Sequence, residues 1–249
     1  MTYCKMSGAG NNFVVLDVRR QMPDLEKLAI TLCRQTGTDG LLAVDHSDIG
    51  DFRLHFYNAN GLRGEMCGNG ARCVCKYAFD RGIAGAQMQV QTDAGLLYGW
   101  RIAEDRYRVR LNDPSRVEPE RRPNGAYVEL GDPGVPHCVT RVEGLSFRDR
   151  QRLLPLALEI RHDPVFPKGT NVNFYDIIDR GKIRILTYER GVEDYTLACG
   201  TGSASVAVVL AAMGKLPGGC LVAENPGGTL TVTLEKDGLF LEGPAVEVD

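Results

Sequence analysis

Apolar residues fall into short runs typical of strands and into a few longer runs with helical spacing. Leucines at helical spacing follow Pro23-Asp24 and stop before Gly37, which predicts a first helix over residues 24–36. A second helix is predicted over residues 148–160. The runs of strand length are 13–17, 41–44, 52–57, 88–92, 96–102, 107–111, 127–130, 138–142, 183–188, 221–224, 229–234 and 239–242. Short turns join most of these strands, which favours mixed sheets over one parallel sheet.

A Cys-Gly-x-Gly motif occurs twice, at residues 67–70 and 199–202, about half the chain apart. Each motif opens an apolar run with helical spacing, and each follows a strand-length run and a polar loop. Asn58 precedes the first cysteine by nine positions, and Arg190 precedes the second by the same nine. The repetition predicts a duplicated scaffold in which a thiol stands twice at the start of a helix.

In one segment the apolar residues have neither strand nor helix spacing. Residues 112–124 carry three prolines and at least five charged residues, a composition typical of a linker. We therefore predict two halves, residues 1–113 and residues 114–241, each with one of the two cysteine motifs.

Composition narrows the class of protein. A length of 249 residues with 43% hydrophobic residues can form one or two packed domains. A net charge of -3 gives no basic field for nucleic acid or an anionic membrane. Residues 1–12 contain no apolar core of signal-peptide length, and no run reaches the roughly 18 apolar residues of a membrane span. The eight cysteines are spaced irregularly, and the four histidines lack zinc-ligand spacing, so we expect a reduced, cytoplasmic protein without a metal.

The position of the two motif cysteines at helix N-termini indicates reactive thiols. A helix N-terminus lowers a thiol's pKa by presenting unpaired N–H groups, and the glycines let backbone amides approach a ligand. A single motif of this kind is more often a packing turn around an inert cysteine, whereas two copies with matching loops favour a reactive pair. The other six cysteines are expected to be small core residues.

Two activated thiols are compatible with two reactions. They can form a disulfide, or one thiolate can take a proton while the facing thiol gives one. Redox pairs usually share one short loop, whereas these thiols lie in separate halves, each with its own anion-binding amides. That arrangement suits a carboxylate held between two helix N-termini, with its α-carbon between the sulfurs. The expected reaction is racemisation or epimerisation without a cofactor.

Longer motifs around these residues resemble the diaminopimelate epimerase family. They are Ser7-Gly8-Ala9-Gly10-Asn11, Asn58-Ala59-Asn60-Gly61, Glu65-Met66-Cys67-Gly68-Asn69-Gly70-Ala71-Arg72-Cys73, Gly169-Thr170-Asn171-Val172-Asn173-Phe174, Tyr188-Glu189-Arg190-Gly191-Val192-Glu193 and Ala198-Cys199-Gly200-Thr201-Gly202. The resemblance covers the whole chain. It implies an α/β (α+β) fold of two pseudo-symmetric domains, each a mixed sheet curled around a central helix. The last strand, about residues 242–249, would join the N-terminal half.

The resemblance also implies the roles of individual residues. Cys67 and Cys199 would be the two catalytic bases, with no cofactor and no metal. The first-turn residues Gly68, Asn69, Gly200 and Thr201 would bind the reacting carboxylate. The remaining contacts to the amino acid would come from Asn11, Asn58, Asn171, Glu189 and Arg190. Arg190 suits a distal carboxylate, since its fork can bind one bidentately, and Glu189 suits an ammonium. The partners would be a small amino-acid substrate and a possible second subunit in a homodimer. The reaction would serve the biosynthesis of lysine and of peptidoglycan precursors.

Several positions depart from the usual family pattern. Asn60 and Leu62 stand where the family commonly has aspartate and serine, Asn12 stands in place of an aspartate, the loop at residues 37–40 is short, and Val135 precedes Pro136-His137. These changes leave the two-thiol chemistry intact and concern the distal pocket. Epimerisation of LL- to meso-diaminopimelate is the leading hypothesis. The alternatives are racemisation of another amino acid such as histidine or lysine, a thiol–disulfide oxidoreductase, and a non-catalytic binding protein.

Overall fold

The computed structural model describes residues 2–64 and 67–249. The helices in this part are α1 (Leu25–Thr36), α2 (Gly68–Asp80), α3 (Arg150–Arg161) and α4 (Gly200–Ala212). The strands are β1 (Tyr3–Gly8), β2 (Asn11–Asp17), β3 (Gly40–Asp45), β4 (Phe52–Asn58), β5 (Gln87–Thr92), β6 (Gly95–Ala103), β7 (Arg106–Leu111), β8 (Pro114–Arg122), β9 (Gly125–Leu130), β10 (Val135–Arg141), β11 (Asn171–Asp179), β12 (Lys182–Glu189), β13 (Asp194–Tyr195), β14 (Cys220–Asn225), β15 (Gly228–Glu235), β16 (Gly238–Pro244) and β17 (Val246–Val248). None of the helices in these two ranges combines the length and hydropathy needed to cross a bilayer.

The chain divides into two compact units. The first contains Met1–Arg110 and the C-terminal segment Glu242–Asp249, and the second contains Leu111–Leu241. The sequence places this boundary after residue 113 instead of residue 110. Each unit contains one of the two cysteine motifs.

The first unit is a mixed sheet with strand order β17-β1-β2-β3-β4-β5-β6-β7. Its parallel neighbours are β2 with β3, joined through α1, and β4 with β5, joined through α2. Helix α1 lies on one face, where its buried stripe of Leu25, Ala29 and Cys33 packs against residues of β2 and β3. Helix α2 contacts β1, β2, β3 and β6 and is buried over most of its length, as expected for a central helix.

The second unit repeats this order. Strands β9 and β10 are antiparallel, β10 and β11 are parallel through α3, β12 and β14 are parallel through α4, and β14 and β15 are antiparallel. Helix α4 contacts β8, β9, β10, β11, β14 and β15 and is apolar on all sides, so it is the central helix of this unit. The predicted fold class, two repeated units that each wrap a mixed sheet around a central helix, is confirmed.

The predicted linker over residues 112–124 is wrong. Most of it forms β8, which pairs with β9. The register of this pair shifts between Pro114 and Arg116 and again between Glu118 and Arg122. Such irregularities let a strand contain prolines, which cannot donate to a neighbouring strand. The composition of this segment is typical of a linker and therefore did not predict the strand.

Candidate active site

Both motif cysteines occupy the residue that begins a central helix. Cys67 precedes α2 with backbone angles φ -118 and ψ 112, and Cys199 precedes α4 with φ -117 and ψ 111. The first intrahelical bonds are equivalent, since Ala71 N–H donates to the Cys67 carbonyl at 2.8 Å and Ser203 N–H donates to the Cys199 carbonyl at 3.0 Å. Each thiol is thus carried by the same local backbone. Glu65 and Met66, which precede Cys67 in the motif, lie outside the described residues.

In the first unit, the predicted residues Asn11 and Asn69 contact each other. The Asn69 side-chain amide donates to Asn11 Oδ1, and Asn11 Nδ2 donates to Asp39 Oδ2 at 3.4 Å. Asp39 Oδ2 also accepts the backbone N–H of Asn12 at 2.9 Å. The Gly-rich bend between β1 and β2 is therefore fixed to the first turn of α2, where Gly68 and Asn69 are both buried.

Asn58 is the last residue of β4, at the end of the sheet where β2 and β3 begin. Gly40 of β3 is opposite Asn58 on one side and opposite Phe13 of β2 on the other. The Asn58 side chain is exposed, and its backbone N–H donates to the Leu62 carbonyl at 2.8 Å. The loops that contain Asn11, Asn58 and Cys67 therefore lie at the same end of the strands.

In the second unit, the Cys199 thiol is enclosed. The residue is 7% exposed, its Sγ accepts the N–H of Gly202 at 3.3 Å, and it lies 3.5 Å from Thr201 Oγ1. Burial raises the pKa of Cys199 well above its ordinary value, and the Glu189 carboxylate raises it further, while Thr201 and the Gly202 N–H oppose them. The expectation that a helix N-terminus lowers this pKa is therefore not met, because desolvation and a facing carboxylate outweigh the amide.

Five further cysteines have thiol pKa values raised by burial. The pKa is about 12 for Cys73 and Cys75 and about 11 for Cys138, and those of Cys33 and Cys4 are also raised. Their thiols remain protonated at neutral pH. The expectation of small core residues holds for Cys33, Cys73, Cys75 and Cys138, whereas Cys4 is half-buried and Cys220 is exposed, so it is wrong for these two.

The predicted residues Asn171, Glu189 and Arg190 lie at the ends of β11 and β12. Asn171 Oδ1 accepts the backbone N–H of Arg190 at 2.8 Å, and its amide donates to the Pro136 carbonyl at 3.0 Å. Glu189 Oε1 accepts a hydrogen bond of 2.6 Å from Thr196 Oγ1. The Arg190 guanidinium donates to the Lys168 carbonyl at 2.9 Å and is half-buried.

A buried polar chain beside these residues was missed by sequence reasoning. His137 is fully buried in β10, and its Nδ1 lies 3.2 Å from the Asn173 side-chain amide. Asn173 Oδ1 in turn accepts the Thr187 hydroxyl at 3.0 Å. Burial, with a smaller contribution from nearby Arg190, lowers the pKa of His137 to about 3, so the imidazole is neutral. Because the Asn173 amide can only donate, Nδ1 accepts and Nε2 carries the proton. The signal in the sequence was the spacing of Asn171 and Asn173, which places both on one face of a strand.

Comparison with known proteins shows the family of this chain. A family model described as diaminopimelate epimerase matches residues 3–117 and 131–248. The chain belongs to the diaminopimelate epimerase family. A diaminopimelate epimerase of Chlorobaculum tepidum is 37% identical, with 96% of each chain covered. One from Archaeoglobus fulgidus is 33% identical over 100% of this chain and 94% of its own.

Solved structures show how widely the fold of this family extends. A phenazine biosynthesis protein of the PhzF family from Bacillus anthracis superposes with a TM-score of 0.71 at 16% identity, covering 100% of this chain and 98% of its own. A hydroxyproline epimerase from Agrobacterium vitis, with bound trans-4-hydroxy-L-proline, has a TM-score of 0.70 at 17% identity. The match covers 99% of this chain and 90% of its own. At these identities the likeness concerns the fold.

Proposed function

We propose that this protein epimerises LL-diaminopimelate to meso-diaminopimelate without a cofactor, with Cys67 and Cys199 as the proton-transferring pair. The observation that carries the proposal is that two cysteines begin the central helices of two repeated units with nearly equal backbone angles. Membership of the diaminopimelate epimerase family supports the substrate. We infer a cytoplasmic setting and a small amino acid as the partner.

The chemistry follows from what a helix N-terminus offers. The first turn of a helix presents backbone N–H groups to a ligand. Here these are the amides of Gly68 and Asn69 in α2 and of Gly200 and Thr201 in α4. They would donate to the reacting carboxylate, and their hydrogen bonds strengthen as negative charge develops on it. Preorganised donors of this kind lower the barrier to removal of the α-proton.

The proton is moved by the two sulfurs. A thiolate on one side takes the α-proton and becomes a thiol, while the thiol on the other side delivers its proton to the opposite face of the carbon and becomes a thiolate. The configuration is inverted and the number of protons on the pair is unchanged. Each turnover therefore exchanges the roles of the two cysteines.

Polar side chains of both units would hold the rest of the substrate. Glu189, oriented by Thr196, would pair with an ammonium, and Arg190, whose backbone is fixed by Asn171, would bind the distal carboxylate. Asn11 and Asn58 would contribute amide contacts from the first unit. The distal carboxylate distinguishes diaminopimelate from lysine and histidine, so Arg190 would carry most of the selectivity.

A proton-exchange experiment tests the proposal. The reduced protein is incubated in D₂O with LL-diaminopimelate, lysine, histidine or proline, and loss of the α-proton signal is followed by NMR. We expect the fastest exchange with diaminopimelate, accompanied by meso product. Faster exchange of lysine or histidine would contradict the substrate, and no exchange with any of them would contradict the reaction.

A further inference from the structure

One of the buried positions at which the two cysteine helices differ lies five residues after each cysteine. The fifth residue after Cys67 is Arg72, and the fifth residue after Cys199 is Ala204. Both side chains are completely buried at 0% exposure. The repeated scaffold thus carries a buried cation on one central helix and a methyl group at the equivalent position of the other.

The Arg72 guanidinium is bonded to the turn proposed to bind the carboxylate. Its Nη2 donates to Asn69 Oδ1 at 2.9 Å, and its Nη1 donates to the Gly68 carbonyl at 3.2 Å. Its Nε donates to the carbonyl of Pro244 at 3.3 Å, in the C-terminal segment of the same unit. One side chain therefore fixes the first turn of α2, the amide that holds Asn11, and the returning end of the chain.

No carboxylate balances this cation among residues 2–64 and 67–249. Its three hydrogen-bond acceptors are all neutral oxygens. A buried charge is costly unless it is compensated. The anionic groups that act on Arg72 are the thiolate forms of Cys73, Cys67 and Cys75.

Of these thiols, Cys67 is the one that can supply the negative charge. Cys73 and Cys75 are completely buried, with thiol pKa values of about 12, whereas Cys67 is half-buried at the start of α2. Burial lowers the pKa of Arg72 to about 10, so the guanidinium stays charged at neutral pH. Since the interaction between two charges is mutual, a cation that a Cys67 thiolate stabilises also stabilises that thiolate.

The remaining charge near Arg72 comes from Arg106 of β7, which acts against the guanidinium. Arg106 is itself paired with Glu242 at 2.7 Å. The charge near Cys199 is negative instead of positive, since the Glu189 carboxylate disfavours a thiolate there. The two thiols of the proposed pair are therefore electrostatically unequal.

We infer that Arg72 is a positioning residue that fixes the Gly68-Asn69 turn and makes Cys67, not Cys199, the thiolate of the resting enzyme. The inference rests on the proposed function. In the resting enzyme Cys199 carries the proton of the pair. The epimer whose α-hydrogen faces Cys67 then reacts directly, and the other epimer requires the proton to move first from Cys199 to Cys67.

The test is the pH dependence of alkylation at each cysteine, read by peptide mapping after short exposure to iodoacetamide. In this reaction the thiolate sulfur forms a bond to carbon and iodide leaves, so the rate follows the thiolate fraction at each site. In the wild-type protein we expect the midpoint for Cys67 to lie at least about one pH unit below that for Cys199. The midpoint reports the pKa of each thiol, because poor access of the reagent lowers the rate at every pH without displacing the midpoint.

Variants identify Arg72 as the cause. Arg72→Met should raise the Cys67 midpoint by about one pH unit or more and leave that of Cys199 unchanged, while Arg72→Lys should keep most of the shift. Lys76→Met is the matched control, since Lys76 is a buried cation one turn along α2 that pairs with Asp80 and Asp105 at 3.0 and 2.9 Å. It should not move the Cys67 midpoint.

Equal midpoints in the wild-type protein would overturn the inference, and so would an Arg72→Met variant that keeps the low Cys67 midpoint. If Arg72→Met does not fold, the wild-type midpoints and Arg72→Lys still decide the question. Alkylation needs no turnover. A protein that exchanges the α-proton of diaminopimelate but shows equal midpoints would leave the proposed function standing and refute the role of Arg72.

Discussion

The backbone N–H of Arg190 donates to Asn171 Oδ1 at 2.8 Å. This bond joins the start of β11 to the loop after β12, so two segments that are distant in sequence are held in one arrangement. The Asn171 amide is itself anchored on the Pro136 carbonyl at 3.0 Å. The position of Arg190 is therefore defined by the sheet and not by its loop alone.

Replacing Arg190 should separate substrate selection from proton transfer. A hydrogen bond to a charged group is worth roughly 1.5–3 kcal/mol, so Arg190→Ala should lower kcat/KM for diaminopimelate about tenfold or more. The slow α-proton exchange of a monocarboxylic amino acid should be unaffected, because it has no distal carboxylate. The measurement is α-proton exchange by NMR with both substrates. Arg180→Ala, an exposed arginine in the turn after β11, is the control, and equal losses with both substrates would contradict the assignment.

The equivalent glycines of the two motifs should respond differently to alanine. A Cβ at Gly202 would overlap Asn173 Oδ1 and lie 3.0 Å from Thr187 Oγ1, whereas a Cβ at Gly70 would make an ordinary contact of 3.4 Å with Leu42. We expect Gly202→Ala to lower the free energy of unfolding by about 1–3 kcal/mol. Gly70→Ala should cost less, because its Cβ meets no overlap that would offset the gain of up to about 1 kcal/mol that alanine brings to a helix. Urea unfolding followed by circular dichroism measures both, and equal destabilisation would contradict the described packing.

Neutral, buried His137 should make stability fall in acid. Its pKa is about 3 in the folded protein against an ordinary value of 6.5, so between these values the unfolded chain binds the extra proton. Stability from this group is complete above pH 6.5 and decreases as pH falls, by up to about 1.4 kcal/mol per pH unit. His137→Asn should remove this slope between about pH 5 and 6.5, relative to wild type.

The readout for His137 is the free energy of unfolding in urea across that pH range. The slope, not the absolute stability, is compared, because the substitution also changes the bond to Asn173. The exposed His46→Asn is the control, since it removes a histidine from the surface. An unchanged slope in His137→Asn would show that this imidazole titrates while folded.

The parts of the site that repeat in the sequence could be predicted from it. Two Cys-Gly-x-Gly motifs with loops nine positions upstream indicate a duplicated scaffold, and the structure repeats the same order of strands and helices around α2 and α4. Helix α1 could likewise be predicted, because its N-cap, its apolar stripe and its end are local features.

What the sequence did not indicate depends on contacts between distant residues. His137 meets Asn173 because β10 and β11 pair in parallel, with His137 opposite Asn171, and no local pattern encodes that register. Arg72 is an unremarkable polar residue in sequence, yet the surrounding sheet buries it completely. The raised pKa of Cys199 has the same origin, since burial and Glu189 are tertiary features that outweigh the local helix N-terminus.

The most direct test of the two-thiol reaction compares single-cysteine variants with LL-diaminopimelate in D₂O. The wild-type protein and Cys75→Ala, which removes a buried thiol from α2, should form meso product with deuterium at the inverted carbon. Cys67→Ala and Cys199→Ala should each lose epimerisation by about 10²-fold to 10⁴-fold, because each removes one of the two proton-transfer groups. Epimerisation at the wild-type rate by either of these two variants would contradict the two-thiol mechanism.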